Sequence, residues 1–139
     1  MKAEGLGLLV NIDVESLEQA TAFYCDALGL HVGRRFVDGW IELLGATAPI
    51  YLLPKESGSA VSPVTTQKRD YRRHWTPVHL DFVVSELEPA LARAKAAGAT
   101  LEKAPETHAW GRIALMADPF GNGFCLIQFS GRGYDEIAR

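Results

Sequence analysis

The feature that most constrains this chain is a pattern it states twice. Residues 6–14 end in strict alternation, with Leu8, Val10, Ile12 and Val14 on one face and Leu9, Asn11 and Asp13 on the other. Ser16-Leu17-Glu18-Gln19 follows as a capping box, with Ser16 at the N-cap. Leu17, Ala20, Tyr24, Ala27 and Leu28 then recur at helical spacing up to Gly29, a natural stop. Residues 77–84 repeat the strand, with Val78, Leu80, Phe82 and Val84 opposite His79, Asp81 and Val83. Ser85-Glu86-Leu87-Glu88 repeats the capping box, and Leu87, Ala90, Leu91, Ala94 and Ala97 repeat the stripe before Gly98. Pro89 falls in the first turn, where a missing N–H is tolerated. Ser16 to Gly29 and Ser85 to Gly98 have equal spacing. Such self-similarity points to one supersecondary unit used twice.

Both halves continue alike. Residues 30–36, 40–44 and 49–53 have strand composition, with Asp38-Gly39 as a two-residue hairpin signal. Residues 100–104, 108–117 and 123–129 complete the second half. The last hairpin turns at Asp118-Pro119-Phe120-Gly121-Asn122-Gly123, where Pro presets φ and Gly and Asn accept positive φ. Each half therefore reads strand, helix, strand, strand, strand. The expected fold is α+β: two tandem βαβββ modules forming a curved mixed sheet around a cleft. Module one covers 6–54, a connecting loop 55–76, module two 77–129 and a tail 130–139. The loop has no periodicity, and its 68–74 stretch is basic: a solvated connector, or a lid over a site.

Bulk properties narrow the function. A chain of 139 residues with 47% apolar and 22% charged residues can bury a core as one domain. The net charge of −3 offers no sustained basic surface for nucleic acid. No apolar run approaches the ~20 residues of a membrane span, and the first residues do not open a signal peptide. Cys25 and Cys125 do not make a disulfide framework, so a cytoplasmic setting is expected.

The βαβββ repeat, the segment Phe23-Tyr24-Cys25-Asp26-Ala27-Leu28-Gly29-Leu30 and the turn Asp118-Pro119-Phe120-Gly121-Asn122 together resemble the vicinal oxygen chelate superfamily. That group includes glyoxalase I, bleomycin-resistance proteins, fosfomycin-resistance enzymes, extradiol dioxygenases and methylmalonyl-CoA epimerase. The resemblance spans about residues 6–129. It implies a homodimer and, in the metal enzymes, a divalent ion held by His or Gln from the first strand of each half and by acids from the last strands. Carried onto this chain, those positions are Leu9, Tyr51, His79 and Cys125. Equal helix spacing would pair Val10 with His79, but Val10 belongs to the apolar face, so Leu9 takes the position. Only His79 is a ready ligand, and Cys125 is a soft partner for a hard-oxygen site.

The expected activity is therefore metal-independent binding of a small organic, partly aromatic ligand, as in drug-sequestering members of the group. No cofactor is expected. The candidate ligand-binding residues are Asn11, Asp13, Trp40, Tyr51, His79, Asp81, Trp110, Arg112 and Cys125. Aromatic rings would stack on a flat ligand, and Arg112 would pair with an anion. Asp81 would orient His79 or accept from the ligand. His79 and Cys125 are the catalytic candidates, as a proton carrier or as a thiolate–imidazole pair. The alternative is an enzyme of the group (lyase, isomerase or dioxygenase) with a divalent metal displaced to His79 and its neighbours. For each residue a structural role competes: core packing for the rings and thiol, ion pairs for the charges. A third reading, docking of a protein partner, draws only on the basic loop.

Overall fold

The computed structural model describes residues 5–139. Two compact units emerge, residues 5–25 with 29–69 and residues 26–28 with 70–139; helix α1 (Leu17–Leu28), most of which belongs to the first, is described with it.

The first unit contains β1 (Val10–Val14), α1 (Leu17–Leu28), β2 (His31–Arg35), β3 (Ile41–Leu44) and β4 (Ile50–Pro54). Its sheet has the order β1-β4-β3-β2, with β1 parallel to β4 and the other pairs antiparallel. Ser16 caps α1 by accepting a bond from the Gln19 N–H at 3.2 Å, as its capping box requires. Gly29 closes the helix in the left-handed region at φ 68°, its N–H returning to the Cys25 carbonyl. Helix α1 buries Ala20, Tyr24 and Ala27 of its apolar stripe together with Phe23, while Val14, Leu43, Ile50 and Leu52 are buried on the strands. Burial of each such aliphatic side chain is worth ~2 kcal/mol.

The second unit contains β5 (Leu80–Val83), α2 (Leu87–Ala97), β6 (Thr100–His108), β7 (Gly111–Ala117), β8 (Gly123–Phe129) and a short 3-10 turn (Gly133–Glu136). Its sheet order, β5-β8-β7-β6, reproduces the first with β5 parallel to β8. The α+β fold of two βαβββ modules is thus established in both halves. On one face of this sheet Ala114 lies beside Leu126 and Met116 beside Phe124. All four are buried, as are Leu87 and Ala94 of α2, which packs toward β7 and β8. The register places Leu115 beside Cys125 and Cys125 beside Asp81, which sets these three on the opposite face.

Three local expectations change. Residues 6–9 are not strand, and Leu6, Leu8 and Leu9 are exposed; alternation alone does not supply a pairing partner. Strand β5 begins at Leu80 rather than at residue 77, because the Thr76 hydroxyl donates to the Val78 carbonyl at 2.7 Å and turns the chain there. The second capping box does not form. The N-cap of α2 is Glu86 with no side-chain cap bond, and the Leu87 N–H instead donates to the Gln128 side-chain oxygen at 2.7 Å. The cap comes from β8, across the unit.

The 54–76 stretch is tied down at both ends. Arg69 shares backbone bonds with Gly58 and Ser59, and its side chain pairs with Asp13 at 2.7 Å. Residues 71–74 lie against the Asp118 turn. A Cβ at Gly121, whose φ is +97°, would meet the Tyr71 and Arg72 carbonyl oxygens at 2.7 Å. The two glycines of that turn are therefore required by different causes: conformation and close approach at Gly121, and the Arg73 guanidinium over Gly123. Among the described residues no helix is long and apolar enough to cross a membrane.

Candidate functional site

Asp118 fixes the turn that precedes β8. Its Oδ1 accepts from the N–H groups of Phe120 and Asn122 at 2.8 and 2.9 Å, and its Oδ2 accepts from the Asn122 amide at 2.9 Å. The turn so fixed delivers β8, and with it Cys125, alongside β5. Parallel pairing puts Asp81 directly beside Cys125. His79, just before β5, directs Nε2 to Asp81 Oδ1 at 3.1 Å. The ligand atoms of His79, Asp81 and Cys125 all lie within 4.8 Å of one another.

The chemistry of this trio follows from its pairing. Burial pushes the Cys125 thiol up to about 12, and the neighbouring Asp81 charge and hydrogen bond push in the same direction. Cys125 is therefore a neutral S–H that donates to Asp81, not a thiolate nucleophile. The Nε2–H of His79 is likewise held by Asp81. A carboxylate that orients an imidazole can support proton transfer, so an acid–base role for His79 fits this geometry, whereas the thiolate–imidazole pair does not.

A pocket of about 140 Å³ opens beside the trio, and all of its lining comes from the second unit. Leu115 and Trp75 give it apolar surface, while Met116 and Phe124, whose side chains lie on the other face of the sheet, border it through their backbone; its polar members are Arg73, Thr76, His79, Glu102 and Cys125. Trp75 is 79% exposed, so its indole stands at the rim. Arg73 donates through Nε and Nη2 to Glu102 at 2.7 and 2.8 Å, and through Nη1 to the carbonyls of His74 and Gly121. This bidentate pair raises the Arg73 pKa and lowers that of Glu102.

Of the nine candidate residues, the structure brings His79, Asp81 and Cys125 together. Trp110 stacks on His108 with centroids 5.0 Å apart and meets Phe129 and Tyr134, away from the pocket lining. Arg112 is paired with Glu88. The other four belong to the first unit. Asp13 holds Arg69, and Asn11 is exposed beside Tyr51 in the β1–β4 register. Trp40 stacks on Phe36 at 3.8 Å and meets Tyr51 edge-on at 5.4 Å. The Tyr51 hydroxyl donates to Glu42 at 3.0 Å.

Sequence reasoning missed Glu42 and its partner Arg34. Glu42 is 5% exposed and accepts from the Arg34 side chain, the Arg34 backbone N–H and Tyr51. Those bonds, led by the Arg34 side chain, lower its pKa to about 2 against the opposing effect of burial. A lone acid inside the apolar run 40–44 was the available signal. Glu102 and Thr76 of the pocket carried no signal at all, and Arg73 appeared only as part of a basic stretch.

The superfamily's divalent ion can be tested against these donors. Leu9 has no donor atom, and Tyr51 is engaged with Glu42. A protonated thiol replaces the expected acid at Cys125, and Asp81 is shared between an imidazole and that thiol. This set does not fit an oxygen-rich divalent centre.

Two βαβββ modules with identical strand order, the second carrying the Asp118 turn motif between β7 and β8, define a protein of the vicinal oxygen chelate superfamily. A profile of the glyoxalase-like domain matches residues 9–127, and the chain belongs to that family. No curated protein matches it. Among solved structures, it is similar to a genomically encoded fosfomycin resistance protein from Listeria monocytogenes, with 18% identity, 99% of this chain and 100% of that one covered, and a TM-score of 0.71. An antibiotic binding protein from Streptomyces is 24% identical over 94% of this chain and 100% of its own, with a TM-score of 0.64. A glyoxalase/bleomycin resistance protein/dioxygenase family enzyme from Burkholderia phytofirmans is 23% identical over 88% and 97%, with a TM-score of 0.67. At these identities the likeness establishes the fold.

Proposed function

We propose that this is a metal-independent small-molecule-binding protein whose second-unit pocket takes an organic ligand with an aromatic part. The observation that carries the reading is the state of the pocket's polar groups. Arg73 is tied to Glu102, and Asp81 engages both His79 and Cys125, while Leu115 and the rim indole of Trp75 supply apolar and aromatic surface. Such a surface is organised before any ligand arrives, and apolar contact supplies the affinity. A relative of the same fold is an antibiotic binding protein, which agrees with a sequestering role.

Tryptophan fluorescence tests it. Titration with a panel of aromatic drugs and metabolites gives saturable quenching, and Trp75→Phe removes most of it because Trp40 and Trp110 stand outside the pocket lining. Absence of quenching across the panel refutes the reading. We further propose a homodimer, on the superfamily's habit, and a cytoplasmic setting, with which two free thiols agree.

One observation favours a second reading. Imidazole, carboxylate and thiol within 4.8 Å are donor types that zinc accepts, if the ion displaces the S–H proton. The protein would then be a metal-dependent lyase, isomerase or dioxygenase relative. Elemental analysis decides: a stoichiometric divalent ion in protein purified without added metal favours the enzyme and sinks the metal-independent reading.

A further inference from the structure

The pocket's size, valences and charge also constrain its occupant. We infer that the ligand presents an uncharged hydroxyl-bearing aromatic ring, a phenol, to the imidazole of His79; this rests on the reading of the pocket as the ligand site.

Size comes first. A pocket of about 140 Å³ matches the cavity of about 150 Å³ that holds one benzene. One ring fits against Leu115, with Trp75 at the rim to cover it.

The polar valences come next. The Thr76 hydroxyl has spent its proton on the Val78 carbonyl. Cys125 directs its S–H to Asp81, and His79 directs Nε2–H to the same carboxylate. What these three side chains still offer is acceptor capacity: the Thr76 oxygen, the Cys125 sulfur and, with Nε2–H given to Asp81, the remaining imidazole nitrogen, Nδ1. A ligand that donates a hydrogen bond is satisfied there. One that only accepts leaves lone pairs facing lone pairs.

Charge excludes the other large class. Arg73 is the pocket's guanidinium, and each of its three nitrogens already has a partner in Glu102, His74 or Gly121. Its charge is offset by Glu102, and the Asp81 carboxylate stands behind His79 and Cys125. A carboxylate or phosphonate entering this pocket would meet among its lining only a guanidinium already paired with Glu102, and that pairing offsets little of the lost hydration. The ligand class thus differs from the phosphonate found with one structure of the Listeria protein.

The test is a ring series at pH 8 on the full chain, followed by calorimetry and tryptophan fluorescence: phenol, anisole, benzoate and phenylphosphonate. Phenol is expected to bind saturably, with anisole, benzoate and phenylphosphonate each at least tenfold weaker. His79→Phe should bring phenol down to the level of anisole in the same variant; the wild-type series stands if that variant does not fold. Anisole equal to phenol overturns the hydroxyl's role. Benzoate or phenylphosphonate binding as tightly as phenol overturns the ligand class, and in either case the pocket survives as a binding site. Failure of every ring and of the wider drug panel overturns the pocket reading itself.

Discussion

Cys125 has a carboxylate neighbour and a thiol pushed up to about 12, chiefly by burial. At pH 8 iodoacetamide should therefore alkylate it far more slowly in the native protein than in urea, as read by peptide mass spectrometry. Rapid native alkylation would contradict the thiol assignment. The folded pKa lies above the ordinary value of 9.0, so folding favours the protonated form. The corresponding stability is complete below pH 9 and is lost as pH rises toward 12. Cys125→Ala should flatten that alkaline decline. Glu42 has the opposite sign. Its carboxyl is held at about 2, below its ordinary 4.5, by Arg34 and Tyr51, so its contribution is complete above pH 4.5 and is lost as pH falls toward 2. Urea midpoints of Glu42→Gln should be lower than wild type at pH 7, with the gap closing through that acid window. A constant gap would show that the carboxylate charge is not what matters.

At the scale of elements, the two helices begin in different ways despite matching sequences. Ser16 caps α1 itself, whereas α2 receives its bond from Gln128 of β8. Gln128→Ala should cost ~1 kcal/mol, the usual worth of a helix cap, and Ser85→Ala should stay within ~0.5 kcal/mol. Chemical denaturation of the two variants compares them directly, and equal losses would restore the capping box to Ser85. The repeat made Ser85 look equivalent to Ser16 because a capping box is a local pattern. A side chain from another strand can satisfy the same N–H, and no spacing within 85–88 reveals that competitor.

At the scale of the whole molecule, both units carry the same strand order, yet the pocket and the His79 trio belong to the second. Apolar side chains remain exposed in both: Leu6, Leu8 and Leu9 in one, Val78 and Val83 in the other. A subunit contact would cover such groups. Sedimentation velocity at micromolar concentration is expected to give a homodimer, and a single monomeric species would remove that proposal.

The sequence by itself determined the tandem βαβββ architecture, the Gly29 and Gly98 helix ends and the turn at Asp118. These depend on periodicity, capping and turn chemistry, which act between residues a few positions apart. It also placed His79 and Asp81 on one strand face, since alternation is enough for that. Only the tertiary structure decided what those residues do to one another. The β5–β8 register set Cys125 beside Asp81, and the packing of 71–74 on the Asp118 turn brought Arg73 to Glu102. The same cause moved Trp110 and Arg112 to other partners and committed Tyr51 to Glu42. Hydrogen bonds and charges saturate, so a side chain's chemistry is fixed by whichever partner the fold delivers. The hairpin that signals the fold is also what delivers β8, and its cysteine, to the site.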